Sequence, residues 1–166
     1  ICQWHGGDLY EHSYWCLLYS QQLFLMKDPL VKGLQNLKNH IIVGSFFHDI
    51  GKGGDLIYDM YSPMKYNGKG DGAHPDRCGD MILGLIPYNF SDGTSINIPT
   101  LLRTLYPWID VRKIALISYM HWKFGVLNIG KDDYDIVQNI KQKSKTYIDE
   151  YKTYLKKCGL RDRKQM

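Results

Sequence analysis

The stretch FFHDIGKGG, residues 46–54, sets His48 directly against Asp49 at the end of an apolar run. Both side chains can bind metals. Neutral imidazole suits zinc, iron, manganese or nickel, carboxylate suits harder ions, and a mixed set fits a first-row divalent metal. Adjacent residues on a helix diverge by about 100°, so the pair could serve two neighbouring ions with Asp49 bridging them. A lone His-Asp pair can also do no more than cap a helix, so the remaining histidines bear on the choice. The chain has six: His5, His12, His40, His48, His74 and His121. His12 falls early on a first helical stretch, His48 at the end of a second, His74 at the start of a third and His121 near the end of a fifth. Inward side chains converging from several helices are how bundles build metal sites. Taken singly each histidine reads as structural; four in inward-capable positions beside an aspartate are harder to read that way. His40 lies more than two turns before His48, about 12 Å along a helix, too far to share the site. His5 reads as a solvated residue near the start of the chain, with proton donation at the site mouth as the alternative.

Such side chains need helices to carry them, and the chain reads as mostly helical. EHSYWCLLYSQQLFLM has apolar residues at helical spacing, and DPLVKGLQNLKNHIIVGSFFHD reads as a linker running into a second helix that ends near Gly51. Residues 53–73, rich in Gly and Asp, read as a long loop. HPDRCGDMILGLI starts a helix, because Pro75 in its first turn has no N–H to leave unpaired. PYNFSDGTSINIPT reads as a second loop, IPTLLRTLY and VRKIALISYMHWKFG as two more helices. A last helix is expected from about Asp133 to Lys157, with Ile136, Ile140, Tyr147, Ile148, Tyr151 and Leu155 along one stripe. The expectation is an all-α bundle forming one domain over residues 1–166, with two long loops on the ligand side. There are no internal repeats, no low-complexity tract, no G-x-G-x-x-G and no P-loop.

Composition narrows the class. At 166 residues with 44% hydrophobic and 13% aromatic content, the chain can bury a substantial core. The formal net charge of +4 is compatible with an anionic ligand without requiring one. Much of the excess sits in KKCGLRDRK, within the basic end 153–166, which reads as a solvated helix end. Cys2, Cys16, Cys78 and Cys158 are scattered with no C-x-x-C, which suggests reduced thiols and a cytoplasmic location. No run approaches the roughly 18 apolar residues of a membrane span, and no signal peptide is visible. The chain starts at Ile1, so residues are expected to precede it.

The order His12 in DLYEHSYWC, His48-Asp49 in FFHDIGK, His74 in AHPDRCGDMIL and His121 in ISYMHW resembles the HD-domain superfamily. That family arranges His, His-Asp, further histidines and a last Asp around one or two metals in a helical fold. EHS opening a helix, HDIGK closing one and HPDRCGDMIL resemble family patterns beyond the ligands themselves, and the resemblance covers residues 3 to about 152. QWHGGDLYEHS is also similar to the entry of the HD domain fused to tRNA nucleotidyltransferases. The chain departs from the pattern in three places. The separation of 36 residues from His12 to His48 implies an insertion around KDPLVKGLQN. Trp122 follows His121 where a second histidine could stand, and no GYP motif occurs, which disfavours a cyclic-di-GMP phosphodiesterase of the HD-GYP type. The last Asp is best matched by Asp149 in TYIDEY, with Asp132, Asp133 and Asp135 as competitors in a run suited to helix capping.

The resemblance implies a phosphohydrolase that uses two divalent ions and a metal-activated water. His12, His48, Asp49 and Asp149 would form the core set, His74 and His121 would complete a second site, and Asp49 would bridge. Lys52, Arg77 and Lys123 are candidates to meet phosphate oxygens, Lys52 also the leaving group. Lys52 can equally complement a helix dipole, and the other two can equally be surface charges. The expected substrate is a small phosphorylated molecule: a nucleotide, a cyclic nucleotide or another phosphoester, with a nucleic-acid end as a further option. The 13 tyrosines offer faces on which a base could stack, although tyrosines are commonly half-buried packing residues. Two rivals stand beside this reading. One is a di-iron oxygenase, as in the myo-inositol oxygenase branch of the superfamily; the other is a non-catalytic HD binding or regulatory module.

Overall fold

Helix formation begins at Leu9 in the computed structural model, which describes residues 9–52, 74–90, 92–125, 146 and 148–160, the side chains of 122–125 excepted. The fold is all-α. It runs through α1 (Leu9–Leu23), α2 (Pro29–Gly33), a 3₁₀ turn (Gln35–Leu37), α3 (Lys38–Phe47) and a second 3₁₀ turn (Ile50–Lys52). After the undescribed 53–73 come α4 (His74–Leu83), the short strands β1 (Tyr88–Asn89) and β2 (Ser95–Ile96), α5 (Ile98–Leu105) and α6 (Val111–Gly125). A final helix, α7, occupies 148–157.

Local chemistry accounts for the boundaries. Asp28 caps α2 by accepting the Leu30 N–H at 2.7 Å, with Pro29 in the first position. Asn97 caps α5 in the same way through the Thr100 N–H at 2.9 Å. Three sequence expectations need correction. The stretch before the second helix is not a plain linker but holds α2 and a 3₁₀ turn, and α3 stops at Phe47 with His48 as its C-cap, short of Gly51. The expected second loop contains an antiparallel pair, Tyr88 opposite Ile96 and Asn89 opposite Ser95. Its turn is held by Asp92 Oδ1, which accepts the Thr94 N–H at 2.9 Å, and by Gly93 at φ +85°, a conformation that suits glycine. The start expected for the last helix lies outside the described residues. Within 148–157 the buried side is Leu155, with Cys158 just beyond, while the stripe members Ile148 and Tyr151 are 52% and 41% exposed.

The core gathers on α6, whose Ile114, Ala115 and Tyr119 are fully buried against Ile82 of α4, Leu102 of α5 and Val43 of α3. Two glycines let the backbones approach. A Cβ on Gly79 of α4 would lie 2.2 Å from the Tyr119 ring, and one on Gly44 of α3 would lie 2.6 Å from Ile117 Cδ1. These contacts hold α3 and α4 against the same helix, and each of the three contributes to the site.

Candidate metal centre

Four helices and one turn bring the predicted cluster together. His12 comes from α1, His48 from the C-cap of α3, Asp49 from the turn that follows, His74 from the first residue of α4 and His121 from α6. Gly51 brings the turn onto α4. Its N–H donates to Cys78 Sγ at 3.1 Å, and an added Cβ would stand 2.9 Å from that sulfur and 3.0 Å from the Cys78 nitrogen. A side chain at 51 would push Asp49 away from His74. His40 lies apart from the cluster and joins two helices instead. Its Nε2 accepts the Asp110 N–H at 3.0 Å, tying α3 to the start of α6.

Asp49 is 1% exposed and stands among the four imidazoles. Its Oδ2 lies 3.4 Å from His12 Nε2 and 3.5 Å from His48 Nε2. Its Oδ1 lies 3.3 Å from His74 Nε2 and 3.2 Å from His121 Nε2. The two nitrogens of each pair are themselves close, 3.2 Å for His12 and His48 and 3.1 Å for His74 and His121. Each carboxylate oxygen thus forms a triangle with two nitrogens. Donor atoms on a common ion at about 2.0–2.2 Å would be about 3.0–3.5 Å apart, which matches these edges.

Proton placement says why such triangles suit a cation. His48 Nδ1–H donates to the Ser45 carbonyl at 2.7 Å, and His121 Nδ1–H donates to the Ser118 carbonyl at 2.6 Å. A carbonyl only accepts, so in the neutral ring each Nε2 carries a lone pair. Burial lowers the His48 pKa to about 4, which keeps that ring neutral at pH 7. Lone pairs therefore converge on a carboxylate. Asp49 Oδ1 is buried with no hydrogen-bond partner, an arrangement that a cation would relieve. Burial pushes the Asp49 carboxyl up, but His12, His121 and His74 around it outweigh burial and hold it well below the usual carboxylate range. The His12 pKa is raised to about 9, chiefly by the bond to Asp49 and then by Cys16. Two groups of donor atoms, His12–Cys16–His48 and His48–Asp49–His121, each lying within 4.8 Å of one another, could hold a metal ion.

Of the three candidate phosphate partners, Lys52 is 5% exposed and donates from Nζ to Asp49 Oδ2 at 3.1 Å. Arg77 is equally buried, and its Nε donates to the Gly51 carbonyl at 3.4 Å. Neither is a plain surface charge. The side chain of Lys123, like His5 and the trio Asp132, Asp133 and Asp135, lies outside the described residues. Asp149 is not brought in. It is exposed and belongs to neither donor group, because Leu155 faces the core about 120° away around the helix.

Sequence reasoning misses one donor. Cys16 lies a turn after His12, its Sγ 3.6 Å from His12 Nε2, and joins His12 and His48 in one of the two groups. The available signal is the i,i+4 spacing, which puts both side chains on one face of α1. No described helix is long and apolar enough to cross a membrane. Compared with family models, curated proteins and solved structures, the chain matches none.

Proposed function

We propose that the protein is a metal-dependent phosphohydrolase of the HD type, acting on a nucleotide or another small phosphoester. The observation that carries the reading is the division of four histidines into two pairs, one on each oxygen of a buried aspartate. Such a division suits two ions, one that His12, His48 and Asp49 would hold and one that His74, His121 and Asp49 would hold. When bound, they would supply a water of lowered pKa and positive charge against phosphate oxygens. The chain's own residues set the stage for that chemistry. Lys52, donating to Oδ2, fixes the rotation of the Asp49 carboxylate. The Ser45 and Ser118 carbonyls fix the rings of His48 and His121, so their lone pairs face inward before any ligand arrives. Little covalent chemistry is then asked of the protein, and positioning dominates.

Elemental analysis of purified protein, paired with a panel of nucleotides and phosphodiesters before and after chelation, tests the reading. The expected result is hydrolysis of at least one phosphoester with manganese or cobalt, abolished by chelation and restored by metal. Tightly held iron with an oxygen-sensitive chromophore and no hydrolysis would favour the oxygenase instead. Protein that retains no metal, and whose function survives His48→Ala, would make it a non-catalytic module.

A further inference from the structure

We propose that Cys16 is a ligand of this centre, supplying a thiolate to the ion held by His12 and His48; the inference rests on the metal reading above. Cys16 is half-buried on α1 and one turn from His12, so both side chains leave the helix on the same face. The distances are more decisive than proximity alone. Two nitrogens at about 2.05 Å from one tetrahedral ion stand about 3.3 Å apart, and a nitrogen and a sulfur, the latter at about 2.3 Å, stand about 3.6 Å apart. The structure has 3.2 Å between His12 Nε2 and His48 Nε2, and 3.6 Å between His12 Nε2 and Cys16 Sγ. The fourth atom, Asp49 Oδ2, is 3.4 Å from His12 Nε2.

Independent evidence that this corner takes a ligand comes from its neighbours. The buried His48 ring has its Nδ1–H committed to Ser45, so its Nε2 lone pair points at other acceptors. Asp49, 1% exposed, brings its Oδ2 to the same corner, 3.5 Å from that Nε2. The remaining described cysteines do not share this setting: Cys78 and Cys158 are buried, and neither belongs to a donor group. A sulfur on one half makes the two halves chemically unequal. The His12–His48–Cys16 half, with Asp49 Oδ2, favours zinc, iron or cobalt, while the His74–His121 half has only nitrogen and oxygen donors.

The test uses cobalt as the probe. Full-length protein loaded with Co(II) is expected to show a sulfur-to-cobalt charge-transfer band in the near ultraviolet. Zinc-loaded protein should show a zinc–sulfur distance of about 2.3 Å by X-ray absorption. Cys16→Ser should lose both signals, bind zinc at least tenfold more weakly and keep its helical circular dichroism. Should that variant fail to fold, iodoacetamide labelling of unaltered protein gives the second readout: zinc should slow alkylation of Cys16 at least tenfold. Cobalt bound through nitrogen and oxygen only, a band that survives Cys16→Ser, or alkylation unaffected by bound zinc would each overturn the proposal and leave the metal reading standing. Failure of the protein to retain cobalt or zinc at all would overturn both.

Discussion

Two buried aspartates, Asp49 beside the first residue of α4 and Asp80 within that helix, each accept from a lysine but differ in their remaining partners. Around Asp80, donors meet acceptors. Oδ1 accepts from the Tyr119 hydroxyl and from Lys157 Nζ, the latter at 2.6 Å, while the Tyr154 hydroxyl donates to Asp76 Oδ1 at 2.6 Å. Tyr119 and Tyr154 stack at 4.5 Å with their planes 9° apart, and the Lys157 ammonium sits 4.8 Å over the Tyr119 ring. Burial, reinforced by these carboxylates, pushes both phenols well above their ordinary range, so they remain donors. The ammonium supplies the compensating charge from within the chain. This cluster is a fastening that holds α7 to α4 and α6. Around Asp49, Lys52 and His12 serve Oδ2, yet the lone pairs of His48 and His121 also meet carboxylate oxygens, and Oδ1 has no hydrogen-bond partner. The lesson is that burial of a carboxylate alone says little. Whether its partners are donors or fellow acceptors separates architecture from a site that needs something from outside.

Breaking the Asp49 side should give the largest effect. Asp49→Asn keeps the shape and removes the charge. It is expected to reduce metal retention and phosphoester turnover by more than the roughly 10–100-fold typical of a contact outside the ligand shell. Metal content and rate measured together check this, with little change in the circular dichroism. The next largest effect falls on the fastening. Gly79→Ala drives a methyl into the rigid Tyr119 ring and should cost about 3 kcal/mol in denaturant unfolding, whereas at Gly44 the tip of Ile117 can swing aside and Gly44→Ala should cost clearly less. Asp80→Asn should lose about 2 kcal/mol, since Lys157 is itself a third exposed, while metal bound per folded molecule stays unchanged. Loss of metal in Asp80→Asn without loss of stability would erase the distinction between the two aspartates.

The smallest expected effect is a pH dependence at His40. Burial, aided by Lys113, lowers its pKa, and its Nε2 already accepts the Asp110 N–H. The unfolded chain takes up a proton near 6.5 that the folded chain resists, so the unfolded state binds more protons as the pH falls below that value. Stability is therefore full above pH 6.5, declines toward the lowered folded pKa and then levels off. Unfolding curves of His40→Gln across this range should lack that part of the slope.

Much of the Asp49 side is legible in the sequence because its histidines sit at helix ends and on helix faces, where residue order fixes direction. His12, His48, Asp49, His74 and His121 converge as their order suggests. Cys16 is harder to see, because pairing patterns among cysteines say nothing about a cysteine's spacing from His12. The Asp80 side is illegible. Nothing local tells Asp76 and Asp80 that Tyr154 and Lys157, more than 70 residues on, will reach them. Asp149 fails for the same reason: an apolar stripe shows which face is greasy, while only the partner decides which face is covered. The turn at Asp92–Gly93 is readable, since Asp-Gly is a turn signal, but its strands of two residues are too short to stand out.

The bonds from His48 and His121 to the carbonyls three residues before them have a bearing on speed. Each ring is steadied by its own helix turn and needs no distant partner to choose its rotation or its tautomer. Two of the donors then wait in final pose, and an arriving ion need not trigger a search among ring flips. Capture would be governed by how fast the ion sheds water. Affinity is set by the ratio of the release rate to the capture rate, so any gain in tightness at this centre should appear as slower release.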